Sequence, residues 1–188
     1  EKKSHKVTPK EKRLTAFHEA GHAVCTYYCD HQDKVHQVSI IPRGMAGGYT
    51  MSLPEQDKSF VSKKEMEENI ITLLGGRVAE QLVLDDISTG ASNDLERATS
   101  TARSMVTRYG FSEKLGPIVY GNDQNEVFLG RDLGSSRDYS DRVAGEIDDE
   151  VRNIVEKAYD KATAILQMHM DQLELLAKYL MIHEKIEK

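Results

Sequence analysis

The sequence predicts a mainly α-helical domain with a small β-hairpin or sheet. Three observations support this fold class: long stretches with apolar residues at helical spacing, two capping-box patterns, and one β-branched segment followed by a glycine-rich reversal. The 188 residues are enough for one domain with its own core. We therefore expect an N-terminal tail over residues 1–7 and a single domain over residues 8–188.

The first half of the chain predicts one helix and one hairpin. Thr8 and Glu11 have the spacing of a capping box, and the helix that they begin is expected to run to about Cys29. Residues 35–41 (VHQVSII) have the composition of a strand. Residues 48–53 (GYTMSL) follow the glycine-rich PRGMAGG turn and are expected to form the returning strand.

Two further helices are predicted in the middle of the chain. Ser62 and Glu65 form the second capping-box pattern, and apolar residues at helical spacing continue from there to Leu82. Residues 88–93 (STGASN) are expected to form a loop. The helix after this loop is predicted to end near Tyr109, since Gly110 follows.

The last third of the chain predicts an irregular segment and two helices. Residues 110–138 contain many glycines, and we expect only a short strand at residues 118–120. A long helix should begin near Ser140, and a final helix is expected to be capped anew at Asp171.

Composition and charge argue against several functional classes. The net charge is −6 and no basic block occurs, so we expect no nucleic-acid partner. No apolar run approaches the roughly 18 residues of a spanning helix, so we expect this chain itself not to cross a membrane. Cys25 and Cys29 lie four residues apart in the first predicted helix, a poor geometry for a disulfide, which predicts free thiols.

The strongest chemical signal is the HExxH motif formed by His18, Glu19 and His22 within the first predicted helix. Two histidines four residues apart lie on one helix face, so both can reach one metal ion. Glu19 is rotated by about 100° from His18 and can act on water at the metal without being a ligand. The motif predicts a zinc site with Glu19 as general base.

A catalytic zinc ion needs a third protein ligand, and two carboxylates compete for this role. Glu80 follows two consecutive glycines in LLGGRVAEQL, where a close packing partner is expected because glycine is unfavourable inside a helix. Asp94 lies at a loop-to-helix junction, where it could also simply complement the helix dipole. Cys25 is too far along the helix from His18 to share its ion. Spacing alone leaves Glu80 and Asp94 open.

Several motifs together resemble the peptidase domain of the FtsH family of membrane-anchored, ATP-dependent zinc metalloproteases. The resemblance covers nearly the whole chain, in the order of the family. It is carried by HEAGH, RGMAGGYTMSLPE, LLGGRVAE, STGASNDLERAT, YGFSEKLGPIVYG and FLGRDL.

The resemblance implies a zinc metallopeptidase domain over residues 8–188 with one zinc ion per chain. By this resemblance the metal ligands are His18, His22 and Asp94, and Glu19 is the catalytic base. Glu80 is expected not to bind the metal but to orient one of the two histidine ligands. Zinc would activate water and polarise the peptide carbonyl.

The resemblance also implies a larger assembly around this domain. Family members carry transmembrane segments and an AAA ATPase module, form hexamers, and degrade unfolded or misfolded proteins at the cytoplasmic face of the bacterial inner membrane. No Walker A pattern occurs in this sequence, so ATP dependence and membrane contact would come only through the absent regions. Two other functions remain open besides a zinc protease: an assembly module without catalytic activity, and a domain in which zinc is only structural.

A protease for many unfolded chains needs a way to hold extended peptide regardless of its sequence. Backbone pairing with an exposed strand edge does this. The predicted second strand, with Gly48, Tyr49, Thr50 and Met51, is the candidate substrate-binding segment. The alternative is a hairpin strand that pairs only within the domain.

Overall fold

A computed structural model describes residues 6–44, 46–56, 58–121 and 137–188, and within them the predicted mainly α-helical fold is confirmed. Three strands form one antiparallel sheet, and a 3-10 turn at Thr89–Ala91 precedes the third helix. The strands are β1 (Val35–Ser39), β2 (Tyr49–Ser52) and β3 (Lys185–Glu187). The helices are α1 (Pro9–Tyr27), α2 (Lys63–Val83), α3 (Ser92–Thr107), α4 (Asp141–Met168) and α5 (Met170–His183).

Helix α1 is the central element of the fold, and it packs against α2, α5 and the sheet. Its predicted capping box is present, because Thr8 Oγ1 accepts the Glu11 N–H at 3.2 Å and the Glu11 carboxylate accepts the Thr8 N–H at 3.4 Å. The helix ends at Tyr27, slightly before the predicted Cys29. Cys25 and Cys29 are buried free thiols, as predicted.

Helices α1 and α2 cross with their backbones in close contact. A Cβ atom built on Gly21 would lie 2.4 Å from Gly75 O, and one built on Gly75 would lie 2.7 Å from Gly21 O. Only glycine permits this separation at either position. The close packing expected beside the LLGG segment is therefore present, and α1 is the partner.

The predicted hairpin is present, and β1 is the central strand of the sheet. Strand β2 pairs with one side of β1 and β3 pairs with the other, both antiparallel. The sequence did not predict β3. It forms because Glu184 adopts a left-handed conformation with φ of 64° at the end of α5, which returns the chain to β1.

Two sequence predictions in the second half of the chain are wrong. Residues 118–120 do not form a strand, since Tyr120 N–H donates to Thr107 O and so attaches this segment to the end of α3. Asp171 lies in the first turn of α5 rather than at its cap, and His169 separates α4 from α5. Residues 1–5 of the predicted tail and the FLGRDL motif at 128–133 lie outside the described residues.

The remaining predicted starts agree with the structure. Ser62 Oγ accepts the Glu65 N–H at 3.1 Å at the start of α2, and Ser140 caps α4. Among the described residues, every helix is too short or too polar to cross a membrane.

Candidate active site

Three side chains converge where α1, α2 and α3 meet. His18 and His22 project from one face of α1, and Asp94 projects from the first turn of α3. Asp94 Oδ2 lies 3.1 Å from His18 Nε2 and 3.1 Å from His22 Nε2, and the two nitrogens are 3.0 Å apart. The three donor atoms thus form a nearly equilateral triangle.

This triangle matches the donor set of a zinc ion. Zinc binds histidine nitrogen and carboxylate oxygen at about 2.0–2.2 Å, which places the donors of a tetrahedral site roughly 3.3–3.5 Å apart. The observed separations of 3.0–3.1 Å are within a few tenths of an ångström of that spacing. Two histidines and one carboxylate leave a fourth position for water, as catalytic zinc sites do.

The second nitrogen of each imidazole is fixed by a hydrogen bond on the far side from Asp94. His22 Nδ1 lies 2.7 Å from Thr72 O, and because a carbonyl only accepts, this nitrogen carries the proton and donates it. His18 Nδ1 lies 2.8 Å from Glu80 Oε2. Both rings are therefore oriented with Nε2 toward the triangle, the usual role of groups behind metal ligands.

Glu80 is fully buried, and its carboxylate is nevertheless fully engaged. One oxygen contacts His18, and the other accepts hydrogen bonds from both the N–H and the hydroxyl of Ser88. Burial raises the pKa of Glu80, but the bonds with His18 and Ser88 outweigh this effect and lower it. An ionised carboxylate thus lies behind His18, and through Ser88 it also holds the loop before α3.

The electrostatics of the triangle favour a bound cation. Burial lowers the pKa of His18, but hydrogen bonds to Asp94 and Glu80 outweigh burial and raise that pKa to about 9. Burial raises the pKa of Asp94, whereas its hydrogen bonds with His18 and His22 hold it well below its usual range. Two ionised carboxylates therefore lie against the imidazoles.

Glu19 lies beside the triangle but is held differently from Asp94. One of its carboxylate oxygens lies within 4.8 Å of a ring nitrogen of His18 and of a ring nitrogen of His22, and the residue is 7% exposed. Thr50 Oγ1 donates a hydrogen bond to Glu19 Oε2 at 2.7 Å. Because Asp94 completes the triangle and Thr50 holds one oxygen of Glu19, the other carboxylate oxygen suits a proton acceptor.

Gly76 on α2 makes room for the two imidazoles. A Cβ atom at this position would lie 2.5 Å from His18 Nε2 and 2.6 Å from His22 Nε2, much closer than van der Waals contact. The sequence predicts tight packing at the two glycines, but it does not connect Gly76 with the histidines. The signal was available in two consecutive glycines inside a helix.

The triangle opens into a cleft of about 630 Å³. Gly48, Tyr49 and Thr50 line this cleft, whereas Met51, the fourth candidate for substrate binding, lies in the same strand but outside the lining. In the part of the chain that the structure describes, β2 pairs with β1 alone. Strand β2 therefore contributes residues to the cleft and has no second strand partner among the described residues.

Comparisons with known proteins show the family of this chain. The sequence profile described as peptidase family M41 matches residues 5–188. The chain is 56% identical over 186 residues to an ATP-dependent zinc metalloprotease FtsH of Caldicellulosiruptor bescii, which covers 99% of this chain and 30% of that protein. It is 51% identical over 187 residues to the ATP-dependent zinc metalloprotease FtsH 1 of Sphaerobacter thermophilus, covering 100% of this chain and 29% of that protein. The chain thus spans about 30% of the length of the curated relatives that it matches.

Proposed function

Because this chain belongs to peptidase family M41 and is therefore a metallopeptidase domain, we propose that it is the zinc-dependent endopeptidase part of a longer ATP-dependent protease. The observation that carries this proposal is the triangle of His18, His22 and Asp94 with Glu19 beside it in an open cleft. The donor set fits zinc, and the cleft gives a polypeptide access to it.

The proposed chemistry divides the work among the residues of the site. His18, His22 and Asp94 would hold the zinc ion, which when bound polarises a peptide carbonyl and makes water more acidic. Glu19 accepts the proton of the water that attacks the carbonyl carbon, and returns it to the departing amine nitrogen. Glu80 keeps His18 in the tautomer and orientation that direct Nε2 toward the metal.

We propose that substrate pairs as an extended strand with the outer edge of β2. Support comes from the residues of β2 that line the cleft and from the pairing of β2 with β1 alone among the described residues. Backbone hydrogen bonds give affinity that does not depend on side chains, which suits a protease for many unfolded chains. The binding segment would comprise Gly48, Tyr49, Thr50 and Met51.

The names of the relatives support the ATP dependence of the proposed full-length protein. They are called ATP-dependent zinc metalloproteases, and this chain spans about 30% of their length. We propose that an AAA ATPase module of the same polypeptide delivers unfolded substrates to this domain. The full protein would work as a homo-hexamer that is held at the cytoplasmic face of the bacterial inner membrane.

Hydrolysis of casein by the purified 188-residue chain tests the proposed activity, because casein is already unfolded and needs no ATP-driven unfolding. We expect cleavage that stops with 1,10-phenanthroline and returns with added zinc. A zinc-loaded, folded chain that never cleaves casein would support an assembly module instead. A chain that unfolds when zinc is removed and cleaves nothing when zinc is present would support a structural zinc domain.

A further inference from the structure

The hydroxyl of Thr50 connects the proposed substrate-binding strand directly to the proposed base. Thr50 Oγ1 lies 2.7 Å from Glu19 Oε2 and 3.2 Å from the backbone oxygen of the same residue. The shorter contact is to the charged acceptor, which makes the stronger hydrogen bond. Thr50 lies in β2 and is half-buried, so its bond with Glu19 of α1 is partly protected from competing water.

Gly48, just before β2, leaves space for the Glu19 side chain. A Cβ atom built on Gly48 would lie 3.2 Å from Glu19 Cγ and 2.9 Å from Thr15 Cγ2, so the backbone at Gly48 passes close to the stem of Glu19. A side chain at residue 48 would therefore compete for space with the stem of Glu19, while residue 50 bonds its carboxylate. Glycine at 48 leaves that space to Glu19, and Thr50 then holds one carboxylate oxygen.

We propose that Thr50 is a positioning residue for Glu19, which orients the base from the strand that binds substrate. This inference rests on the proposed function. The hydroxyl engages one carboxylate oxygen and leaves the second oxygen to accept the proton of the attacking water. Because the same residue contributes backbone to β2, a peptide paired with that strand lies in a fixed register relative to the base.

Replacing Thr50 by valine removes the hydroxyl and keeps the shape and strand propensity of the side chain. The expected result is a fall in kcat for an unstructured fluorogenic peptide of roughly ten- to a hundredfold, the range for losing a hydrogen bond to a charged group. KM should change less than threefold, since the backbone of β2 is intact. Thr50→Ser should recover most of the lost kcat, because it restores the hydroxyl.

Thr163→Val is the matched control. Thr163 is also half-buried, and its hydroxyl donates at 2.8 Å to Tyr159 O within α4, away from the cleft. This variant should keep the kcat of the unchanged protein. Zinc content, measured by plasma mass spectrometry, should be one ion per chain in all four proteins.

Three results would overturn the positioning role. Unchanged kcat in Thr50→Val would show that Glu19 needs no hydrogen bond from β2. A loss of zinc or of helical signal in Thr50→Val would assign the residue a structural role, and so would a failure of Thr50→Ser to recover kcat. If the unchanged protein and Thr163→Val both lack zinc-dependent hydrolysis, the proposed function itself fails together with this role.

Discussion

Replacing Gly76 by alanine should remove zinc from a domain that still folds. The added Cβ would lie 2.5 Å from His18 Nε2 and 2.6 Å from His22 Nε2, whereas such contacts normally begin near 3.4 Å. The two nitrogens would have to move by roughly 0.8–0.9 Å, several times the tolerance of about 0.2 Å in a metal–ligand distance. The substitution therefore acts on the ligand atoms themselves.

The surrounding structure offers little relief from this displacement. Relief by separating α1 from α2 would open the close backbone contact between Gly21 and Gly75, where the two helices pack. The imidazole rings can rotate, but each rotation breaks a bond behind the ring, to Glu80 or to Thr72 O. We expect zinc affinity to fall by more than the roughly 10- to 100-fold typical of losing a group behind a ligand.

A zinc titration with a competing chelator measures the affinity for zinc. Denaturant unfolding in the presence of EDTA measures the stability of the metal-free domain. Gly145→Ala is the control, because this exposed position in α4 has nothing within 4 Å of an added Cβ. It should keep the affinity for zinc and gain up to about 1 kcal/mol of stability from helix propensity. Wild-type zinc affinity in Gly76→Ala would refute the steric argument.

Three further outcomes test the site. Glu19→Gln should lower peptide hydrolysis by roughly 10²- to 10⁴-fold with zinc content unchanged; loss of zinc in this variant would contradict the role as base. Asp94→Ala should lose zinc in a metal titration, whereas Glu80→Gln should weaken binding by about 10- to 100-fold; the reverse order would exchange the two roles. Two versions of a peptide substrate, N-methylated on the odd-numbered or on the even-numbered backbone amides, should differ in KM. Only one of the two sets of N–H groups would face β2, so methylation of that set should raise KM. Equal KM for both peptides would argue against strand pairing.

Local sequence patterns were enough to predict helix α1 and the position of the HExxH motif within it. The capping box at Thr8 and Glu11 fixes where the helix begins, and the helical repeat then places His18 and His22 on one face. These features depend on residues only three or four apart. The free state of Cys25 followed from the same helical geometry.

The choice between Glu80 and Asp94 could not be made from spacing, because it depends on how α2 and α3 pack on α1. In the structure Glu80 contacts the Nδ1 side of His18, while Asp94 contacts the Nε2 side. Both carboxylates are therefore within hydrogen-bond distance of the same ring, and only tertiary packing separates their roles. The Thr50–Glu19 bond was missed for the same reason, since it joins a strand to a helix.

The errors in strand prediction have a related cause, because strand composition does not supply a strand partner. Ile118 and Val119 are β-branched but mostly exposed, and the backbone beside them is bonded to the end of α3. The opposite case is β3, where Lys185–Glu187 has no strand signature and forms a strand because β1 offers it an open edge.

The candidate site lies where the chain departs from local preferences, and these departures share one explanation. Gly76 is unfavourable inside a helix, and Glu80 is a carboxylate buried in the core. Helix α3 begins without a side-chain cap, while Asp94 in its first turn contacts His18 and His22 instead of the helix N-terminus. Gly76 weakens α2 and the burial of the Glu80 carboxylate costs desolvation, and both are explained by the need to orient two imidazoles beside a carboxylate. With both imidazoles in place, alanine at 76 would clash with the two rings, and an apolar residue at 80 would leave His18 Nδ1 and Ser88 without their carboxylate partner, so Gly76 and Glu80 both depend on the arrangement of the histidines.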